Sequence, residues 1–241
     1  MSNKILFVFE GENAEAQIVS SLQKFFLQEN TTIKSVYGAE IYQIYKEIKA
    51  DEDLDTFNLI KDRNYDKKDT LATYKRDDFA EIYMFFDYDG HSSMADDGRL
   101  EELLDFFNEE TDKGKLYISY PMVESLKHVC DHETFHDSTV QCKINIKYKG
   151  LVAKDALKHL INFNGYDLKI WQQLITTHLK KMRFIIVGVY SFPTQLYSQS
   201  IVFSNQLSKY IKPTSTVAVL SAFPVFLHDY YGNEELIKRL H

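Results

Sequence analysis

The chain has 241 residues, 44% hydrophobic and 14% aromatic, with a net charge of −7. That length suits one large domain or a domain with an appended subdomain, and the acidic balance excludes a broadly basic nucleic-acid-binding surface, though not an enzyme whose bound divalent cations offset the excess. No stretch approaches the roughly 18 unbroken apolar residues of a membrane helix, and two cysteines, Cys130 and Cys142, supply no disulfide framework, so a cytoplasmic protein with no membrane partner is expected.

Residues 4–9 are a short run of β-formers closed by Gly11; no small-residue cleavage site follows, so they read as a first core strand and not as a signal peptide. From Ala14 to about Leu27 the periodicity is helical, with Ile18, Leu22, Phe25 and Phe26 on one side. Such a strand–loop–helix unit opens many α/β folds. Residues 32–78 are charged and rich in Tyr, Lys and Asp; they read as an exposed, mostly helical insertion, with helices at 39–50 and 52–62. Ile82–Phe86 is a continuous apolar run, as a second core strand buried on both faces should be. Gly98–Glu110 reads as an amphipathic helix using Leu100, Leu103, Leu104 and Phe107, and Lys115–Ser119 as a third strand stopped by Pro121.

Met122 to about Val129 looks helical, as do Lys154–Asn162, Leu168–Lys181 and Ile201–Ile211, while Phe184–Val189 and Val217–Leu220 read as strands. Val217–Leu227 is a candidate buried strand or subunit contact, the latter giving a homo-oligomer. Strands alternating with helices, without hairpin turn signals between them, predict an α/β fold with a mostly parallel sheet flanked by helices. A core over residues 1–130, carrying the insertion, would precede a mixed, mostly helical C-terminal subdomain at 131–241.

Three carboxylate motifs follow the predicted strands: Glu10-Gly11-Glu12-Asn13-Ala14-Glu15, Asp87-Tyr88-Asp89-Gly90, and Ser119-Tyr120-Pro121-Met122-Val123-Glu124. In open α/β sheets functional groups collect beyond the carboxyl ends of the strands. Acids gathered there repel one another and persist where a cation sits between them. Asp87-x-Asp89 offers hard oxygen ligands suited to Mg²⁺ or Mn²⁺; equally, an Asp-rich turn with Gly90 simply ends a strand. Gly11 lets the chain turn closely after Glu10. Glu12, Glu15 and Glu124 also sit where a helix N-terminus favours acids. The basic clusters Lys61-Asp62-Arg63, Lys67-Lys68 and Lys180-Lys181-Met182-Arg183 are candidate phosphate contacts or solvated faces.

The strand-Glu-Gly motif followed by strand-Asp-x-Asp resembles the Toprim domain, a Rossmann-like fold, of topoisomerases, primases and OLD-family nucleases. Glu10–Glu15 is similar to the Glu-Gly-Glu-x-Thr-Glu opening of the RloB-like branch, and Ser119–Glu124 to its Ser-Asn-Pro-x-Phe-Glu segment. The resemblance covers about residues 4–128, interrupted at 32–78; Ala14, Tyr120 and Val123 depart from its usual Thr, Asn and Phe. It implies a Mg²⁺- or Mn²⁺-dependent nuclease, cleaving phosphodiester bonds of DNA or of RNA such as tRNA. Glu10, Asp87 and Asp89 would be catalytic and hold metal, with Glu15, Ser119 and Glu124 as second-metal or supporting residues and Gly11 as the backbone turn. It further implies an effector of antiphage defence partnered by an SMC- or ABC-type ATPase.

Three rivals stand beside it. His132-Glu133-Thr134-Phe135-His136 matches H-E-x-x-H, the zinc-protease pattern, and with His128, Cys130 and Cys142 it raises a structural zinc site. Phe85–Gly90 resembles the first motif of haloacid-dehalogenase-type phosphatases, with Asp87 as nucleophile and Asp89 as general acid. A Toprim-like core without catalysis would be a binding or scaffold subunit of a defence complex.

Overall fold

Five consecutive buried residues, Ile5 to Phe9, make β1 (Lys4–Phe9) a strand covered on both faces, as its unbroken apolar run requires. The structure, a computed structural model, describes residues 4–27, 32–37, 41–51, 53, 55–63, 71–88, 90–91 and 96–241. The chain divides into two compact units, Met1–Phe86 with Glu102–Leu116, and Asp87–Glu101 with Tyr117–His241.

In the first unit α1 (Asn13–Phe25) follows β1 and buries Ile18, Val19 and Leu22. β2 (Thr32–Tyr37) comes next and pairs parallel with β1, Lys4 opposite Thr32 and Phe9 opposite Tyr37. α2 (Ile41–Ala50) and α3 (Thr56–Arg63) carry the fully buried Ile44, Ile48, Phe57 and Ile60. β3 (Glu81–Asp87) pairs parallel on the other side of β1, with Ile5 opposite Glu81 and Phe9 opposite Phe85. α4 (Asp97–Phe106) leads to β4 (Asn108–Glu109), which pairs antiparallel with β5 (Gly114–Ser119). The sheet order is β2-β1-β3-β5-β4, so the protein is α/β with a mostly parallel central sheet flanked by helices.

Residues 32–78 are thus not solely a helical insertion: 32–37 are an edge strand of the central sheet, and the two helices after it bury apolar residues. An edge strand tolerates Lys34 and Ser35 because one of its sides lacks a strand partner, and that polarity disguised it. The expected helix at 98–110 ends at Phe106, because the chain turns into a hairpin. Gly114 takes φ 103° there, and a Cβ on it would stand 3.1 Å from Met84 Cε and 3.2 Å from Ile82 Cγ2. The positive φ favours a glycine, and the close approach leaves little room for a side chain.

In the second unit, a 3₁₀ turn at Val123–Lys127 replaces the expected helix at 122–129. β6 (Thr139–Gln141) and α5 (Tyr148–Asp155) follow; only a 3₁₀ turn, Lys158–Leu160, lies in the remainder of the stretch 154–162. α6 (Leu168–Val187) begins at Asp167, whose Oδ1 accepts the Ile170 N–H at 2.8 Å, and stops at Gly188 with φ 76°. The β-like run 184–189 is therefore mostly the last turn of α6: Ile185 continues the buried face of Leu174, His178 and Met182. α7 (Gln199–Gln206) runs through a π turn, Leu207–Ile211, into α8 (Lys212–Thr214). β7 (Thr216–Ala218) pairs antiparallel with β6, and α9 (Ala222–Leu240) kinks at Gly232. Val217–Leu227 is buried throughout, divided between β7 and the start of α9. Both cysteines are free thiols, and among the described residues no helix is long and apolar enough to cross a membrane.

α6 packs against α9, and His178 lies wholly buried on its inner face. Its Nε2–H donates to the Leu126 carbonyl at 3.2 Å and its Nδ1 accepts the Ser221 N–H at 3.2 Å, so the neutral ring is satisfied at both nitrogens. Burial pushes its pKa down to about 3 from 6.5. Below pH 6.5 the unfolded ring takes up a proton that the folded ring refuses, so stability falls as pH drops from 6.5 towards 3. At pH 4.5 that linkage is worth roughly 3 kcal/mol. His178→Gln should therefore lose less thermal stability between pH 7 and 4.5 than the wild type. An unchanged loss on calorimetry would contradict this.

Candidate functional site

Glu10 stands exposed at the bend after β1, and Glu15 is buried in the first turns of α1. A Cβ on Gly11 would lie 2.6 Å from Glu15 Oε1 and 2.9 Å from Oε2. The Glu15 carboxylate thus lies over the Gly11 backbone, at the helix end where the macrodipole favours an acid. Glu12 is exposed and caps nothing with its side chain. Because Phe9 is opposite Phe85, β1 and β3 reach their carboxyl ends almost together. Glu10 follows one residue beyond the last paired position of β1; Asp87, half-buried, is the final residue of β3. Asp89 lies outside the described residues.

The backbone after Asp87 is held in the second unit. Tyr88 N–H donates to the Ser119 carbonyl at 3.0 Å, and the Tyr88 hydroxyl donates to Asp97 Oδ1 at 2.7 Å. Lys143 Nζ donates to that hydroxyl at 2.9 Å and to Asp97 Oδ2 at 3.0 Å. Burial, reinforced by the Asp97 carboxylate, pushes the Tyr88 phenol far above its ordinary pKa. It stays a neutral donor. Ser119 is buried, and its Oγ accepts the Ala222 N–H at 3.2 Å, fixing the first turn of α9.

Glu124, on the 3₁₀ turn, is only 5% exposed. Its Oε1 lies 3.4 Å from Lys149 Nζ; its Oε2 is buried without a hydrogen-bond partner among the described residues. Close by, the Tyr148 hydroxyl and His128 Nδ1 are 2.9 Å apart. Burial, then the charges of Glu124 and Asp87, raise the Tyr148 phenol, while burial lowers His128. Two of the carboxylates marked by the sequence, Asp87 and Glu124, thereby act on one tyrosine, Tyr148. Tyr148 was not legible as part of a site, and His128 was read only as part of a structural zinc site; its hydrogen bond here is to Tyr148.

Among the described residues, no three His, Cys, Asp or Glu side chains are arranged to hold a metal. The H-E-x-x-H stretch does not form an α-helix: it ends in a 3₁₀ turn, Phe135–Asp137, with His132 Nδ1 on Thr177 Oγ1 at 2.7 Å and His136 Nδ1 on the Glu133 carbonyl at 3.1 Å. The paired histidines one helical turn apart that a zinc protease needs are missing. Two of the basic clusters serve local backbone. Lys61 Nζ donates to the Ala72 and Tyr74 carbonyls, both at 2.9 Å. Lys181, buried, donates to those of His136 and Ser138, and Arg183 to that of Phe192. Lys67 and Lys68 lie outside the described residues.

The two loop glycines should respond differently to alanine. A Cβ on Gly90 would meet Tyr88 Cε1 at 2.5 Å and the Cys142 carbonyl at 3.0 Å, a pinned ring and a backbone atom. Gly90→Ala should cost about 1–3 kcal/mol, as overpacking does. Gly11→Ala meets only the movable end of Glu15 and should cost less than about 1 kcal/mol. Equal losses in thermal midpoint would contradict the account of the Asp87–Gly90 loop.

Compared with protein-family models, with curated proteins and with solved structures, the chain finds no match.

Proposed function

We propose that the chain is a Toprim-like, Mg²⁺- or Mn²⁺-dependent nuclease of the RloB-like or OLD-family kind, acting on DNA or RNA in the cytoplasm. What supports this reading is the pairing of two buried parallel strands: Glu10 directly follows β1 in the chain, and Asp87 is the last residue of β3. The donor set fits a hard divalent cation, being all carboxylate. Glu124 adds a buried carboxylate oxygen that has no partner among the described residues.

Glu10, Asp87 and Asp89 are the proposed ligands, with Glu15, Ser119 and Glu124 in support. When bound, the cation would polarise the phosphate and lower the pKa of an attacking water. The chain's own part is to orient these acids. Gly11 lets Glu15 close over the β1–α1 turn, while the Tyr88, Asp97 and Lys143 contacts fix the backbone after Asp87. Partnership with an SMC- or ABC-type ATPase and a role in antiphage defence belong to the same proposal and rest on the resemblance alone.

Incubation of plasmid and tRNA pools with Mg²⁺, Mn²⁺ or EDTA tests it. The wild type should cut only with metal, and Asp87→Ala or Glu10→Ala should lose at least about a hundredfold in rate, on the order of 3 kcal/mol. Without metal, the thermal stability of either variant should be equal or higher, because like-charge repulsion is relieved. Full activity in either variant sinks the assignment. Turnover of small phosphomonoesters through a phospho-Asp87 intermediate would point instead to the phosphatase, and activity on neither substrate to a scaffold.

A further inference from the structure

The second unit contains a cavity of about 290 Å³ whose lining includes Gly90 and His91, shortly after Asp87 in the chain. Its walls are apolar, formed by Met122, Ile144, Ile146 and the ring of Tyr148. Ile144, one of these lining residues, is 60% exposed. Two amide side chains, Gln141 and Asn145, stand among these walls. Asn145 Oδ1 accepts the Lys147 N–H at 3.0 Å, which orients its amide and holds Lys147 at φ 50°.

The electrostatics of the rim are one-sided. Lys147 and Lys149 both line the cavity, and Lys149 is paired with Glu124. The Lys147 ammonium has no partner among the described residues. It sits at the start of α5, where the first backbone N–H groups have no intrahelical acceptor. A cavity with apolar walls, two amide side chains and a lysine without an acidic partner among the described residues matches one base and its adjoining phosphate. At ~300 Å³ a site is at the small end for ligands. A base pair does not fit, so a base must leave its stack to enter.

We propose that this cavity receives one unstacked base of a single-stranded nucleic acid, with the neighbouring phosphate on Lys147. The substrate class rests on the nuclease reading above and sharpens it: strands with exposed bases are engaged and intact duplex is not. The base lies between Met122, Ile144 and Ile146, and the strand leaves the cavity past Gly90 and His91 towards Asp87.

Binding in EDTA separates this proposal from catalysis. A short fluorescent single-stranded oligonucleotide should bind at least tenfold tighter than its duplex by anisotropy. Ile144→Asp, at an exposed position that leaves the core intact, should weaken it about tenfold by removing apolar surface and adding a negative charge near the phosphate. Lys147→Asn keeps a residue tolerant of positive φ; it should weaken binding and lower the slope of log affinity against log salt by about one. Equal binding of duplex, indifference to Ile144→Asp, or competition by a free mononucleotide as strong as by the oligonucleotide would overturn the proposal. Metal-dependent cleavage that ignores both substitutions removes the base slot and leaves the nuclease standing. Single-strand binding that depends on both residues, without cleavage under any metal, keeps the slot and removes the nuclease.

Discussion

The parallel pairing of β1 with β3, both strands sealed on both faces, is the constraint on which the candidate site depends. Apolar side chains on every residue from Ile5 to Phe9 and from Ile82 to Phe86 leave neither strand a solvent face. A slip of one residue would still be hydrophobic, so alternation alone does not set the register. Ring contacts do: Phe7 meets Phe85 edge-on at 5.3 Å and Phe9 stacks on it at 5.2 Å. Such pairs add about 0.5–1.5 kcal/mol each beyond their burial. With the register set, Phe9 and Phe85 stand opposite each other one and two residues before Glu10 and Asp87.

The second constraint is how the chain is held once it leaves β3. An acid at a strand end is useful to a cation only if its backbone does not wander. Here Tyr88 is bonded at its N–H, its hydroxyl and its ring face, the last under Lys143 Nζ at 5.4 Å. Glu124 shows the opposite economy. Burying a carboxylate oxygen without a partner is unfavourable, and its neighbour Lys149 is mostly exposed and screened. The neutral pair Tyr148 and His128 beside it supplies polar groups without another full charge.

Much of this was legible beforehand, and the misses share physical causes. Continuous apolar runs announced β1 and β3, and the strand-end acids Glu10 and Asp87 were read from position alone. β2 escaped because an edge strand with Lys34 and Ser35 has the composition of a loop. The β4–β5 hairpin escaped because β4, only Asn108–Glu109, fell inside the helix read over 98–110, although β5 was read as a strand. The run 184–189 looked like a strand because Ile185, Ile186 and Val187 are β-branched; the 3.6-residue stripe of α6 outweighs that preference. The tyrosine–histidine pair was illegible because Tyr148 reaches His128 from 20 residues away. Asp89, outside the described residues, remains a reading of the sequence.

The most direct measurement of the central claim is the electron paramagnetic resonance of Mn²⁺ titrated into the wild type and into Asp87→Asn. If the strand-end acids form a cation site, the wild type quenches the free-Mn²⁺ signal to a defined stoichiometry, and Asp87→Asn weakens that binding by at least about tenfold, one lost charged ligand being worth more than ~1.4 kcal/mol. Mn²⁺ that stays free in the wild type, or that binds Asp87→Asn just as tightly, would contradict it.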